Sequence, residues 1–278
     1  MSVRRGTRLS IAIPSSLVAE VPHLREKTLV IGDVARAASI YRVDGIYIYR
    51  DEPDEGRLLQ QVLKYVETPQ YLRRHLIGRR PELSYAGVLP PLRTPHHPLE
   101  KDHRKLARGE FREGVVLSEE GGEFLVDIGV DRPLRAEGKA PSIGGRATVQ
   151  VTRVTPELMG RFARKKDIES YWGFEVHLAQ MRLARLLSSG EFDLSIATSR
   201  YGMSYPDAEP QIRSVWRGAK NALIAFGSPR RGLGDLLGVD LESLFDHVVN
   251  MIPDQGSETV RTEEALHATL AILNLLGG

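Results

Sequence analysis

Asn250-Met-Ile-Pro-Asp-Gln-Gly-Ser-Glu-Thr-Val-Arg-Thr-Glu-Glu-Ala265 is the stretch on which the reading of this chain turns. It is a polar, turn-forming loop between a strand-like segment, Phe245 to Ile252, and an apolar helix, Glu263 to Leu276. Pro253-Asp-Gln-Gly256 breaks the strand, Thr262 suits the helix N-cap, and Glu263 and Glu264 suit its positive end. Such a loop is a place where a chain can bind a ligand.

A second loop of the same kind lies upstream. Asn221-Ala-Leu-Ile-Ala-Phe226 is almost wholly apolar, as an inner parallel strand covered on both faces requires. Gly227-Ser-Pro-Arg-Arg-Gly-Leu-Gly234 starts where it ends. Glycines there permit a tight turn, and exposed N–H groups can hold polar ligand atoms. The loop has neither the Gly-Lys-Ser/Thr of a Walker loop nor the Gly-x-Gly-x-x-Gly dinucleotide pattern. Taken alone, it reads equally well as a turn with two surface arginines. Two loops after two parallel strands are expected to converge at the carboxyl edge of a sheet, where open α/β sheets bind ligands.

The remaining elements extend this α/β pattern. Leu9 to Pro14 and Gly45 to Tyr49 read as strands, and the spacing of apolar residues predicts a helix over Pro22 to Tyr41, with Gly32-Asp33 as an alternative break. Leu58, Leu59, Val62, Leu63 and Val66 form a helical stripe, and Thr68-Pro69 starts a further helix through Ile77. After a proline-rich stretch containing Pro90-Pro91, short β-like pieces follow at Arg112 to Leu117, Glu123 to Ile128 and Arg146 to Val154. Beyond Asp167, Val176, Ala179, Leu183, Leu186 and Leu187 line one helical face that Gly190 ends. Phe192 to Thr198 is a strand, and a helix carries Ile212, Val215 and Trp216. The expected organisation is an α/β domain in two halves, 1–84 and 165–278, with a small antiparallel β barrel or sandwich inserted at 85–164. A β-rich extension of the same domain is the alternative.

Composition narrows the function classes. With 278 residues and 41% hydrophobic content the chain can bury a substantial core, and the absence of cysteine excludes disulfides, thiolate chemistry and Cys-based zinc sites. No apolar run resembles a membrane span or a secretory signal, so a soluble cytoplasmic protein without membrane partners is expected. A net charge of +2 identifies no partner. Basic clusters do occur, at Arg4, Arg5 and Arg8, at Arg73, Arg74, Arg79 and Arg80, and at Arg161, Arg164, Lys165 and Lys166, and these suit a phosphate backbone or a solvated surface. His96, His97 and His103 beside Asp102 lack the i, i+4 spacing of a helical zinc site, so loop structure or RNA contact is preferred and no metal is assigned. Tyr171, Trp172 and Phe174 read as core before base-stacking residues. Tyr85, Phe111, Phe124 and Phe162 are the stacking candidates of the insert.

Four segments together resemble the SPOUT methyltransferase superfamily, and more closely its archaeal and eukaryotic branch of RNA methyltransferases with an inserted OB-like domain. They are Leu9 to Ser16, Ala35 to Asp44, Phe226 to Gly232 and Asn250 to Ala265, the last resembling the knot-to-helix segment of bacterial uridine N3-methyltransferases. The resemblance implies a trefoil-knotted parallel sheet with helices on both faces, and a homodimer whose active site forms near the subunit interface. It implies an S-adenosyl-L-methionine site from Phe226, Gly227, Ser228 and Gly232, from Asn250, Ile252, Pro253, Gln255 and Gly256, and from Thr259, Val260 and Thr262. Ile252 and Val260 would wall the adenine slot. RNA, ribosomal or otherwise structured, is the implied acceptor, with uridine N3 preferred.

Arg36 matches an arginine of the family's early helix and is the first candidate to stabilise negative charge on the acceptor. Arg261 is the second, holding cofactor or RNA or pairing with Glu258. Glu258 and Glu264 are candidate proton acceptors. A ribose 2'-O acceptor, a non-catalytic RNA-binding assembly factor and a protein-interaction factor are the alternatives.

Overall fold

Leu9-Ser-Ile-Ala-Ile-Pro14 joins small and β-branched side chains, which fit a strand packed on both faces. In the computed structural model it forms β1 (Arg8–Pro14). The structure describes residues 6–139, 141–179, 181–228 and 231–276. Arg4 and Arg5 of the first basic cluster, and Pro229 and Arg230 of the glycine loop, lie outside the described residues. After β1 come α1 (Leu24–Ile40), β2 (Gly45–Tyr49), α2 (Gly56–Glu67) and the one-turn α3 (Arg73–Leu76). Five strands follow: β3 (Phe111–Glu120), β4 (Glu123–Asp127), β5 (Leu134–Glu137), β6 (Arg146–Arg153) and β7 (Met159–Ala163). The chain then forms β8 (Glu175–Leu178), α4 (Leu183–Leu187), β9 (Leu194–Ser204) and α5 (Tyr205–Trp216). It ends with β10 (Asn221–Ala225), α6 (Leu233–Leu237), β11 (His247–Asn250) and α7 (Thr262–Asn274).

One compact unit comprises residues 5–64, 82–90 and 174–278, and its centre is a six-stranded sheet in the order β11-β9-β10-β1-β2-β8. Every pairing in it is parallel. Ile46, Ile11, Ile224 and Ile196 stand in register across four strands, each fully buried. Burying one such side chain contributes about 1.5–3 kcal/mol relative to exposure. The alternate positions Ala12, Tyr47, Leu223, Ala225 and Ala197 pack with Leu183, Leu186, Leu233 and Phe245 on the opposite face. Both faces are therefore covered, which is why the strands read as continuous apolar runs. No described helix is long and apolar enough to cross a membrane.

The other unit includes residues 65–81 and 91–173, whereas the sequence placed its insert at 85–164. It holds a second, mixed sheet in which each strand has two partners, so the order β3-β4-β5-β7-β6 closes on itself. Only β5 and β7 pair in parallel. Its interior is apolar, built on Val116, Val126, Ile128, Leu134, Val149 and Val151. The sequence located β3, β4 and β6. It missed β5 and β7, which are short and carry the charged Arg135, Glu137 and Arg161 outward among few apolar residues.

Three local expectations change. Val176 lies in β8, paired with Ile46 of β2, and only Leu183 to Leu187 are helical. Val176 and Leu178 alternate with Glu175 and His177, a strand period that a helical spacing search absorbs. Thr68-Pro69 opens a 3-10 turn, Gln70–Leu72, and then the single turn of α3, in place of a continuous helix through Ile77. Gly32 does not interrupt α1, where it is buried beside Leu89.

Candidate functional site

Two strands of the parallel sheet deliver the loops identified from sequence. The chain leaves β10 at Phe226, which is 1% exposed, and turns through Gly227. A Cβ at Gly227 would stand 2.8 Å from the Arg231 carbonyl oxygen and 3.1 Å from the Leu233 nitrogen, so the loop closes too tightly for any other residue. Ser228 N–H donates to the Arg231 carbonyl at 3.0 Å, closing the turn. Arg231 extends to the carboxyl end of β2, where Nη2 lies 2.6 Å from Asp51 Oδ1 and 2.9 Å from the Glu52 carbonyl. Ser16 Oγ also bonds Asp51, and Tyr49 donates its hydroxyl to the Phe226 carbonyl at 2.7 Å. Polar groups at the carboxyl ends of β1 and β2 thus fix the glycine loop.

The second loop follows β11. Asn250 donates Nδ2 to the Arg200 carbonyl at 3.1 Å and accepts the Ile252 N–H on Oδ1 at 3.0 Å. Asp254 has φ +54°, so the chain reverses there in the left-handed region that Asp tolerates. Gln255 Nε2 donates to the Ser257 and Glu258 carbonyls. The two loops are joined by Thr262, whose hydroxyl donates to the Gly227 carbonyl at 3.0 Å. That contact displaces Thr262 from its expected capping role. Arg261 is the N-cap residue, its backbone N–H donating to Glu264 Oε2 at 2.9 Å.

A cleft of about 210 Å³ opens between the two loops and the first turns of α7. That is about seven times the ~30 Å³ that a water molecule occupies in the liquid, room for an organic ligand. Of the expected cofactor residues, Phe226, Gly227, Ser228, Gly232, Asn250, Ile252, Gln255, Thr259, Val260 and Thr262 line it. Pro253 and Gly256 belong to the same loop but do not line the cleft. Sequence reasoning missed Thr198, Arg200, Tyr201, Asp235, Met251 and Thr269, all of which do. Thr269 is 1% exposed, and its hydroxyl has no hydrogen-bond partner among the described residues. An i, i+3, i+7 count from Thr262 through Ala265 finds it on the same helix face.

The strand that contributes Arg200 and Tyr201 is irregular. Ala197 of β9 pairs with Val248 of β11, and the next pairing joins Val249 to Met203. Residues 198–202 therefore bulge out against no intervening residue of β11. Gly202 permits this, since a Cβ there would lie 2.7 Å from the Val248 backbone. Thr198 Oγ1 donates to the Ala225 carbonyl at 2.9 Å, tying the base of the bulge to β10.

The expected catalytic residues fall in different places. Glu258 lines the cleft, and its carbonyl accepts Arg200 Nη1 at 3.2 Å. Arg261 is outside the lining, with Nη2 2.7 Å from Glu264 Oε1 and Nε 3.5 Å from Glu263 Oε1, so its partners are these carboxylates rather than Glu258. The Arg261 hydrogen bonds hold the Glu264 carboxyl below its ordinary range, which leaves it poorly suited to take a proton. Arg36 is half-buried on α1, outside the cleft lining, and α1 packs against α7. Asp33, one turn before it, lies close enough to act on the Arg261 charge.

The histidines have structural surroundings in the other unit. His96 and His97 both donate Nε2–H to the Glu67 carbonyl, at 3.1 and 2.7 Å. Glu67 itself faces Arg146, Nη1 to Oε2 at 2.6 Å, and Arg146 Nε reaches Glu113 at 2.7 Å. Burial pushes the Glu67 carboxyl up, but the Arg146 charge and the His96 and Arg146 hydrogen bonds outweigh it and bring it to about 2. Burial, with His96 alongside, lowers His97 to about 3. His103 Nδ1 lies 2.9 Å from Asp131, and Asp102 is held by Arg104. Tyr171, Trp172 and Phe174 are 3%, 7% and 3% exposed, and Trp172 donates Nε1–H to Glu113, so packing occupies all three. Phe124 and Phe162 pair edge to face, with centroids 5.7 Å apart.

Comparison with known proteins agrees with this geometry. Residues 8–273 match the family described as "Putative RNA methyltransferase". An uncharacterized protein of Halobacterium salinarum is 36% identical over 295 residues, covering 96% of this chain and 98% of that protein. The 28S rRNA (uridine-N(3))-methyltransferase of Homo sapiens is 32% identical over 314 residues, covering 97% of this chain and 78% of that protein. The mouse protein of the same name is 32% identical over 311 residues, with 97% and 76% covered.

Proposed function

We infer that this chain, which belongs to that RNA methyltransferase family, transfers a methyl group to N3 of a uridine in structured RNA. It is an S-adenosylmethionine-dependent RNA methyltransferase of the SPOUT superfamily, related to archaeal and eukaryotic homologues. The choice of uridine N3 follows the names of the human and mouse relatives. The observation that carries the site reading is the cleft itself, where the loops after β10 and β11 meet α7.

The donor set fits the cofactor's chemistry. Phe226, Met251, Ile252 and Val260 offer apolar walls to a nucleobase, while Asn250, Thr262 and the loop backbone supply polar atoms. The Thr269 hydroxyl, buried and without a hydrogen-bond partner among the described residues, is a polar group that a ligand in the cleft would satisfy. When bound between Phe226, Ile252 and Val260 and the polar atoms of Asn250 and Thr262, the cofactor would supply an electrophilic methyl group for the acceptor nitrogen. The chain's residues orient the reactants and exclude water around them. Arg36 and Arg261, at neighbouring positions of α1 and α7, are read as contacts to RNA or to charge developing on the acceptor, and Glu258 as a contact at the cleft wall.

We read the crossover from β10 past β9 to β11 as the trefoil knot. The closed order β3-β4-β5-β7-β6, with its single parallel pair, supports an OB-like barrel as the inserted module, with residues 5–64, 82–90 and 174–278 forming the methyltransferase domain. A homodimer completes the reading.

Labelled-methyl transfer to a large-subunit ribosomal RNA transcript tests the activity, with the methylated atom identified by nucleoside mass spectrometry. Arg36→Ala is expected to keep cofactor binding and lose at least tenfold in transfer. Cofactor binding without transfer to any RNA by the wild type would leave an assembly factor as the better reading. Unchanged transfer by Arg36→Ala would remove Arg36 from the chemistry.

A further inference from the structure

We propose that the 198–202 bulge of β9 is the platform for the acceptor base, with Tyr201 stacking on the pyrimidine to be methylated and Arg200 backing the tyrosine ring. The proposal rests on the methyltransferase reading of the adjoining cleft.

Tyr201 is 81% exposed, an unusual position for an aromatic residue in a strand. Solvent exposure would ordinarily leave such a ring free to move, yet this one is braced. The Arg200 guanidinium lies over it at 4.7 Å from the centroid, and Arg200 Nη2 donates to the Tyr201 hydroxyl at 2.6 Å. Arg200 is itself anchored twice across the cleft, through Nη1 to the Glu258 carbonyl at 3.2 Å and through its own carbonyl to Asn250 Nδ2 at 3.1 Å. Tyr201 N–H donates to Ser199 Oγ at 3.2 Å. The guanidinium sits toward the hydroxyl end of the ring, and the ring stays 81% exposed at the cleft it lines.

Bulges re-aim side chains near active sites, and this one displaces five residues from the ladder. The loss of regular pairing over 198–202 has no benefit to the core, since Arg200 and Tyr201 bury nothing. A ring held rigid and left exposed is what base stacking requires, because little conformational freedom is then lost on binding. The ligand class is an unpaired pyrimidine nucleotide presented from an RNA loop. Arg200 serves as a positioning residue, fixing the ring between the wall at Glu258 and the loop at Asn250.

The test compares wild type, Tyr201→Ala and Tyr201→Phe for methyl transfer to a large-subunit ribosomal RNA transcript, with S-adenosylmethionine affinity measured by calorimetry and mass by sedimentation. Tyr201→Ala is expected to raise KM for the RNA about fivefold or more, the range of a lost stacking contact, to change cofactor affinity by less than the RNA effect, and to keep its oligomeric state. Tyr201→Phe keeps the ring but loses the Arg200 hydrogen bond to the hydroxyl, and is expected to fall between wild type and Tyr201→Ala. RNA kinetics of Tyr201→Ala equal to wild type would overturn the platform. So would a variant that loses cofactor binding or changes its oligomeric state, because the ring would then belong to the cofactor wall or to a subunit interface. If the wild type binds cofactor and methylates no RNA, the underlying methyltransferase reading fails instead.

Discussion

Replacing Thr269 with valine should move ligand affinity and stability in opposite directions. The side chain is 1% exposed, and its hydroxyl has no hydrogen-bond partner among the described residues. An unsatisfied buried polar group of this kind costs about 1–3 kcal/mol, and valine keeps the shape without the group. At about 2–4 °C per kcal/mol for a chain of this size, the ligand-free variant should melt at least about 2 °C higher than wild type. Thr269 also lines the cleft, and if its hydroxyl bonds the cofactor, losing that bond costs about 0.5–1.5 kcal/mol, or about 2- to 13-fold in Kd. Scanning calorimetry of the free protein and titration with S-adenosylmethionine measure the two effects separately. A variant that melts lower and binds cofactor as wild type does would refute the reasoning. The hydroxyl would then be bonding within α7, to the carbonyl one turn back, and would have no ligand.

Gly227→Ala should weaken S-adenosylmethionine binding at least about fivefold, because overpacking of this kind costs about 1–3 kcal/mol and here the obstacles are backbone atoms that cannot swing aside. Titration calorimetry reads it, and binding within twofold of wild type would remove the loop from the site. Acid should weaken the unit that contains Trp172. His97, at about 3 in the folded state against an ordinary 6.5, stays neutral while the unfolded chain takes a proton, so stability is complete above about pH 6.5 and falls as pH drops toward 3. Between pH 7.5 and 5 this amounts to about 2 kcal/mol, from about 1.4 kcal/mol per pH unit over the 1.5 units below 6.5. Glu67, depressed to about 2, adds a loss of the same sign between about pH 4.5 and 2. Urea unfolding of a Trp216→Phe protein followed by Trp172 fluorescence should show the change. Equal midpoints at the two pH values would contradict it.

The cofactor side of the cleft was legible in the sequence because contiguous segments build it. Gly227 and Asn250 sit directly after apolar runs that can only be buried strands, and a loop leaving a parallel strand emerges at the carboxyl edge whatever its neighbours do. Local composition placed the two loops, and the family resemblance named Phe226, Ile252 and Val260 within and after them. Thr269 could not be found this way. Seven residues beyond Thr262 on a helix whose apolar residues dominate, it reads as one more core position, and only the missing hydrogen bond distinguishes it.

Arg200 and Tyr201 were hidden for a different reason. Leu194-Ser-Ile-Ala-Thr-Ser-Arg-Tyr-Gly-Met-Ser204 carries a strand's composition along its first half and a loop's along its second, and nothing in it says where pairing stops. That depends on the register with β11, a segment about fifty residues later, and on the close approach of Val248 to Gly202. The same argument explains Val176, whose place in β8 is set by pairing with Ile46 rather than by its own neighbours. Strand partners are non-local, so features made by register are invisible to periodicity, whereas features made by a strand's end are not. The loops after β10 and β11 are features of the second kind and the 198–202 bulge is one of the first, which is why the sequence located the loops and not the bulge.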